Sequence, residues 1–295
     1  MNSEWQNFLI SQGATINDQS QVEFPGRAAG NCDLFDLSHL GLLAVSGADT
    51  EEFLQGQFTN DLRELTEQHS QLSCHCSPKG RMLANFRLLR RTEAIYLQLP
   101  AENLPPLLKR LGMYRLRAKV ELSDAGERLL GIGLAGACAA GLLDREVGAV
   151  PELENGVAYY QPFTLLHMPG DTPRFQVLGP PGPLIELWTR LAAQGAIPIG
   201  ADRWALLDIR AGLPTLYPAT ADAFVPQMAN MQWVDGVSFS KGCYTGQEVV
   251  ARLQHLGKLK RRMFRAEVAS AVCPRPGDDL YSDASESGQG AGRVV

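Results

Sequence analysis

Short apolar runs alternate with longer periodic stretches along this 295-residue chain. Leu40 to Val45 ends at Ser46-Gly47 and predicts a buried strand, and Ala48 to Leu54 then has helical spacing with Phe53 and Leu54 facing inward. Gly56-Gln57-Phe58-Thr59-Asn60-Asp61 follows as a loop rich in hydrogen-bonding groups. Gln71 to Cys76, Met82 to Leu89 and Ala94 to Leu99 predict strands, with Pro78-Lys79-Gly80 turning between the first two. Leu104 to Leu111 predicts a helix, because Pro105 and Pro106 are tolerated in a first turn; Ala118 to Leu122 returns as a strand.

From Arg128 the pattern restarts. Leu129 to Leu134 is apolar and glycine-interrupted, Val157 to Met168 alternates like a strand, Arg174 to Leu178 is another strand, and Pro183 to Ala193 is an amphipathic helix before Ile197 and Ile199. These elements predict a second α+β unit over 124–203. Further on, Lys260 to Val268 and Gly288 to Val294 predict strands around a Pro274–Asp278 turn. Short strands between such turns suggest part of a small barrel, and one that ends at Val294-Val295 is expected to be truncated, with an open edge.

Composition narrows the class. Hydrophobic residues make up 45% and charged residues 20%, an ordinary globular balance, and the length suits two or three domains. The net charge of -5 argues against a general nucleic-acid coat. One local basic run, Lys258, Lys260, Arg261, Arg262 and Arg265, suits phosphates, a polyglutamate tail, or a solvated strand edge. No apolar run approaches the roughly 18 residues that span a bilayer, and Met1 to Gln12 lacks the pattern of a signal peptide. The six cysteines are therefore expected to be reduced thiols in a cytoplasmic protein. Dinucleotide, Walker and nucleophile-elbow motifs are absent, so nucleotide-driven and hydrolase classes gain no support.

Candidate chemistry centres on Lys241-Gly-Cys-Tyr-Thr-Gly-Gln-Glu248. Gly242 and Gly246 permit a tight turn, and Thr245 with Glu248 has capping-box spacing, which predicts a helix start just after Cys243. Exposed N–H groups at such a start favour a thiolate, with Lys241 and Arg252 available to add positive potential. The thiol reads as a nucleophile, a redox group or a soft metal ligand; the plainer alternative is a small side chain filling a packed turn.

Weaker signals lie elsewhere. Cys74 and Cys76 share one face of a strand with His75 on the other, which argues for buried thiols rather than a zinc site. Asp61 suits either a hydrogen-bond acceptor or base for a heterocycle, or a cap for Leu62 to Leu65. Trp204, after a Gly-Ala-Asp-Arg turn, suits either stacking on a planar ligand or plugging a domain interface.

The 241–248 octapeptide, extended through Val249-Val250-Ala251-Arg252, resembles the signature of the YgfZ proteins, relatives of the glycine-cleavage T-protein and of a mitochondrial iron–sulfur factor. Gly47-Ala48-Asp49, Phe53 to Gln57, Thr59-Asn60-Asp61, Pro78 to Arg81 and Ala211 to Pro214 fit the same family, in family order. The resemblance implies an α+β, three-domain ring around a tetrahydrofolate cavity. Residues 1–123 and 204–255 would form a discontinuous folate-binding domain, 124–203 an inserted ferredoxin-like unit, and 256–295 part of a C-terminal barrel. It assigns Cys243 as the family cysteine and Asp61 as the acid near the reactive folate nitrogen. Asn60 and Trp204 would lie at the folate site. Leu40 stands where a second tryptophan occurs, and Arg210 where the T-protein has a pterin-binding glutamate, a group an arginine cannot replace as acceptor. The implied function is a monomeric folate-binding accessory protein for iron–sulfur cluster assembly or repair, and through cluster enzymes for tRNA modification. Its partners would be iron–sulfur proteins or assembly factors. The alternatives are a folate-dependent aminomethyltransferase and a direct tRNA-binding protein.

Overall fold

The computed structural model describes residues 1–17, 21–91, 93–281 and 290–295. Two antiparallel-rich sheets form its frame. One has five strands in the order Gln71–Cys76, Met82–Arg91, Ala94–Pro100, Leu40–Ser46 and Glu121–Asp124. The other has six: Val157–Tyr160, Phe163–Met168, Arg174–Gly179, Leu130–Ala135, Asp33–Asp36 and Ile197–Ile199, the last pair being parallel.

Leu40–Ser46 reads as an unbroken apolar run because both of its faces are covered. Leu43 and Val45 face a core with Phe86, Leu88, Leu97 and the Leu104, Leu107 and Leu111 face of helix Leu104–Tyr114. Leu42 and Ala44 face the other way, into a cluster shared with Phe35, Leu166, Met168, Leu178, Trp204 and Leu207. This second cluster joins the two sheets, so the interior between them is one packed layer.

Several expectations change. Asp33–Asp36, from well before residue 124, is an inner strand of the six-stranded sheet. Its pairing with Leu130–Ala135 and Ile197–Ile199 means that 124–203 is not a separate ferredoxin-like unit. The last forty residues show no closed barrel among the described residues: Lys260–Val268 is irregular and largely exposed, and only Asp279–Leu280 pairs with Gly292–Arg293. Among the described residues no strand neighbours 260–268, so the strand expected there has no ladder to join. The strand expected over Gly288 to Val294 lies partly outside the described residues. The Pro274–Asp278 turn is present, with the Asp278 N–H donating to the Arg275 carbonyl at 3.0 Å.

Trp204 sits within helix Ala201–Arg210 rather than after a turn. Cys32 and Cys138 are joined in a disulfide, correcting the expectation that all six thiols are reduced. The pairing of Asp33 with Ala135 sets the two Cα atoms 5.6 Å apart, within disulfide reach, although 106 residues separate them in sequence. Among the described residues no helix is long and apolar enough to cross a membrane.

Candidate functional site: a thiol turn clamped to an acidic loop

Three segments distant in sequence meet at one end of the five-stranded sheet. The first is the loop after helix Thr50–Gln55. Thr59 Oγ1 donates to the Gly236 carbonyl at 2.7 Å and accepts from the Cys74 N–H at 2.9 Å. Asn60 Nδ2 donates to the carbonyls of Leu72 and Asp235, and its Oδ1 accepts from the Asp61 N–H. Asn60 is thus consumed in holding the loop.

The second segment, 236–245, lies against the first. Ser238 donates its N–H to Thr59 and Thr245 donates its N–H to Gly56. Lys241 is the central tie. It is 5% exposed, and its Nζ donates to the carbonyls of Gln55, Phe58 and Asn60 at 2.9, 2.7 and 2.7 Å. Its ammonium also lies 5.3 Å from the centre of the buried Tyr244 ring. Burial pushes the Lys241 pKa down to about 8, a change opposed by the negative charge of Asp61.

The third segment is the Pro78-Lys79-Gly80 turn. Gly246 has φ +85, and a Cβ there would lie 2.5 Å from the Ser77 carbonyl oxygen and 3.0 Å from Gly80 Cα. Only glycine allows this approach.

Cys243 projects from the clamped turn as a free, exposed thiol. Helix Gln247–His255 is capped by left-handed Gly246, not by Thr245, and no side chain caps it. The expected capping box is absent: Glu248 pairs instead with Arg252 at 2.9 Å, one turn along the helix. Lys241 points inward, and His255 lies against Phe239. Cys243 therefore sits three residues ahead of the helix cap, with neither expected cation directed at it by these contacts.

Asp61 is 3% exposed and its carboxylate is occupied. Both oxygens accept from the Arg63 guanidinium, and Oδ1 also accepts from Gln55 Nε2 and the Arg63 N–H. Hydrogen bonds from Arg63 hold its pKa well below the usual carboxylate range. The structure thus places Asp61 as the cap of Leu62–Glu64 and as an ion-pair acceptor.

The remaining candidates lie apart from the thiol, between the sheets. Trp204 is 1% exposed, edge-on to Phe35 with centroids 5.3 Å apart, and the Arg174 guanidinium sits 5.1 Å from its ring centre. The backbone at Gly133 presses on the same ring, since a Cβ there would meet Trp204 at 2.5 Å. Leu40 is half-buried against the inter-sheet cluster. Arg210, exposed at the end of its helix, lines a cavity of about 270 Å³ with Arg174, Arg265, Thr172 and Gly170.

His75 confirms the strand alternation: Cys74 and Cys76 enter one cluster with Met82 and Val250, whereas the His75 ring lies by Phe58 and Tyr114. Its Nδ1 donates to the Gln57 carbonyl and its Nε2 accepts from Arg110 Nε, which defines a neutral tautomer. Sequence reasoning missed the roles of Lys241, Arg63 and Arg174. A lysine opening a Gly-Cys turn and an arginine two residues after an acid were the available signals.

The fold places the chain in a broad class. A model described as the GCVT N-terminal domain matches residues 26–163. The glycine cleavage system aminomethyltransferase T from Bartonella henselae shares the fold, with a TM-score of 0.73 over 86% of this chain and 75% of that one, at 20% identity. Within that class, the chain is 36% identical over 232 residues to the tRNA-modifying protein YgfZ of Colwellia psychrerythraea, covering 78% of this chain and 70% of the relative. It is 34% identical over 263 residues to the Photorhabdus laumondii YgfZ, covering 89% and 79%. An Escherichia coli YgfZ is 32% identical over 262 residues, covering 89% and 80%. The chain belongs to the YgfZ family.

Proposed function

We propose that this protein is a folate-binding accessory factor that supports iron–sulfur cluster enzymes, and through them tRNA modification, with Cys243 as its reacting group. The observation that carries the reading is an exposed thiol in a turn that the buried Lys241 clamps to the 55–60 loop. Family membership supplies the tRNA connection, since the relatives are named tRNA-modifying proteins. In this reading the α+β frame shared with the T-protein is retained, and residues of 1–123 and 204–255 would carry the thiol site.

The polar groups between the sheets match a folate in kind, and a pterin would reach them only by parting the packed layer. Gln176 is fully buried with both amide atoms unpartnered, and the buried Arg87 leaves Nη2 unpartnered. Gln176 shares its sheet face with Leu178 and Arg174, beside the Trp204 cluster. A carboxamide with a free donor and acceptor suits the hydrogen-bonding edge of a pterin. Trp204 is enclosed and Leu40 is aliphatic, so the heterocycle would be held by polar edges rather than by stacking. Bound folate would supply one-carbon chemistry; Cys243 would supply a nucleophilic thiol to a thiol partner, a one-carbon adduct or a cluster component. A lone cysteine does not hold a whole cluster.

Two features weigh against an aminomethyltransferase. Arg63 occupies the Asp61 carboxylate, and Arg210 is a cation where a pterin-binding acid would serve. The test is Cys243→Ser, read by cluster-enzyme activity in cells and by tetrahydrofolate binding in vitro. We expect cellular function to be lost with folate binding retained; full activity in the variant would refute the thiol role.

A further inference from the structure

A buried cluster of arginines lies behind the cavity at Gly170–Thr172. Arg174 is fully buried, donates to the Pro169 carbonyl from Nε and Nη2, and pairs with Asp208 at 2.7 Å. Arg87, also buried, lies in the field of both Asp208 and Arg174. Its Nη1 donates to Ser70 and Asn155, while its Nη2 has no partner among the described residues. At the mouth, Arg210 and Arg265 add two guanidinium groups that make no ion pair or hydrogen bond among the described residues. Only Asp171 opposes them in the lining. Four guanidinium groups thus lie in or behind the cavity against three carboxylates, Asp171, Asp208 and Glu154, whose Oε1 accepts from the Gly170 N–H at 3.0 Å, in a chain whose overall charge is -5.

Arg174 and Arg87 are buried, where a guanidinium is costly unless paired, and the exposed Arg210 and Arg265 bring further positive charge to the mouth of the same cavity, which an anion would complete. The planar donors of arginine match the oxygens of carboxylate and phosphate in pairs. The cavity, about 270 Å³, sits below the roughly 300–1,000 Å³ of sites that enclose a whole drug-sized ligand, so it suits one anionic group.

We propose that the Arg174–Arg210–Arg265 cavity is an oxyanion site that takes a phosphate or carboxylate group, with Arg210 as the contact at its mouth and Thr172 in the lining. The chemistry has two sources: inorganic phosphate, or the carboxylates of an organic ligand. The second source includes the glutamyl end of a folate, and that arm alone rests on the folate reading.

The experiment titrates the full chain calorimetrically with inorganic phosphate and with glutarate at low and high salt. Pteroylglutamate and pteroate are titrated in parallel. Arg210→Ala and Arg265→Ala alter exposed side chains and leave the buried Arg174–Asp208 pair in place. We expect phosphate or glutarate to bind, with affinity falling about tenfold or more in Arg210→Ala, as loss of a charge-assisted pair implies. Tighter phosphate binding assigns the site to phosphate. Tighter glutarate binding, with pteroylglutamate preferred to pteroate, assigns it to the glutamyl carboxylates. Anion binding lost in Arg210→Ala, in a protein that binds no pteroylglutamate, supports the oxyanion site and refutes the folate reading. No binding of either anion to the unaltered chain, or binding unchanged in both variants, overturns the proposal.

Discussion

Lys241→Met removes the tie between the thiol turn and the acidic loop while keeping most of the side-chain volume. It orphans the carbonyls of Gln55, Phe58 and Asn60, which the ammonium now satisfies. Each buried carbonyl left without a donor costs about 1–3 kcal/mol. Against that, the variant no longer buries an ammonium. Burial has lowered that group from the ordinary 10.5 to about 8, a penalty of about 3 kcal/mol at 1.36 kcal/mol per pH unit. The balance favours destabilisation by about 3 kcal/mol, the lower end of what removing one partner from a buried charged contact costs. At about 2–4 °C per kcal/mol for a chain of this size, the melting temperature should fall by about 6–12 °C. A second readout locates the damage. Cys74 and Cys76 are buried and Cys243 and Cys273 exposed, so the native protein should show two fast and two protected free thiols. The Thr59 N–H donates to the Cys74 carbonyl, so loosening the loop should speed alkylation of the protected pair. A melting temperature within about 2 °C of the parent, with protection of Cys74 and Cys76 unchanged, would refute the clamp.

Gly246→Ala should destabilise by about 1–3 kcal/mol, measured by urea unfolding, because its Cβ would meet the Ser77 carbonyl at 2.5 Å in a left-handed conformation. Trp204→Ala should cost about 3–5 kcal/mol by the same measurement, as for other large buried aromatics, whereas a ring exposed for stacking would cost far less. His75 and Asp36 should oppose each other in an acid titration of stability. Burial lowers His75 from 6.5 to about 4, so the unfolded chain binds its proton first and stability rises with pH between about 4 and 6.5. Burial raises Asp36 from 3.8 to about 6, so the native state binds its proton first and stability falls as pH rises through the same window. Asp36→Asn should therefore steepen the gain in stability between pH 4 and 6, by about 3 kcal/mol across the window, and leave the slope above pH 7 unchanged.

Strands whose pattern is set by local alternation were legible from sequence. Gln71–Cys76, Met82–Arg91 and Ala94–Pro100 follow the predicted runs because a meander needs only neighbouring segments and a Pro-Lys-Gly turn. Elements whose surroundings come from far along the chain were not. Asp33–Asp36 reads as polar and short, and becomes a strand because two strands on either side, beyond residue 129, accept it. Trp204, read as following a Gly-Ala-Asp-Arg turn, suited either stacking on a ligand or plugging an interface; the ring is covered by Gly133 and Phe35, which sequence does not place beside it, and it fills the layer between the sheets. The tail shows the converse: the strand expected over Lys260–Val268 has no ladder to join among the described residues, and its backbone is irregular.

The candidate site shows the same division. That Cys243 lies in a tight turn near a helix start followed from two glycines and an apolar face; that Thr245 would cap the helix did not survive, because Gly246 must approach Gly80 and itself takes the cap. The more consequential change concerns what surrounds the thiol. Asp61 is neutralised by Arg63, Lys241 is spent on three carbonyls, Arg252 is paired with Glu248, and His255 rests on Phe239. A cysteine that works as one member of a catalytic set needs a base or orienting group within hydrogen-bond reach. Here Asp61 and Lys241 are committed inward and Arg252 is engaged at the surface, so in the proposed role an activated partner would come to Cys243 with its own leaving group or metal. For the proposed function this favours a thiol that meets a reactive cargo over one that performs a complete turnover unaided, with the proposed oxyanion cavity as a separable site on the same fold.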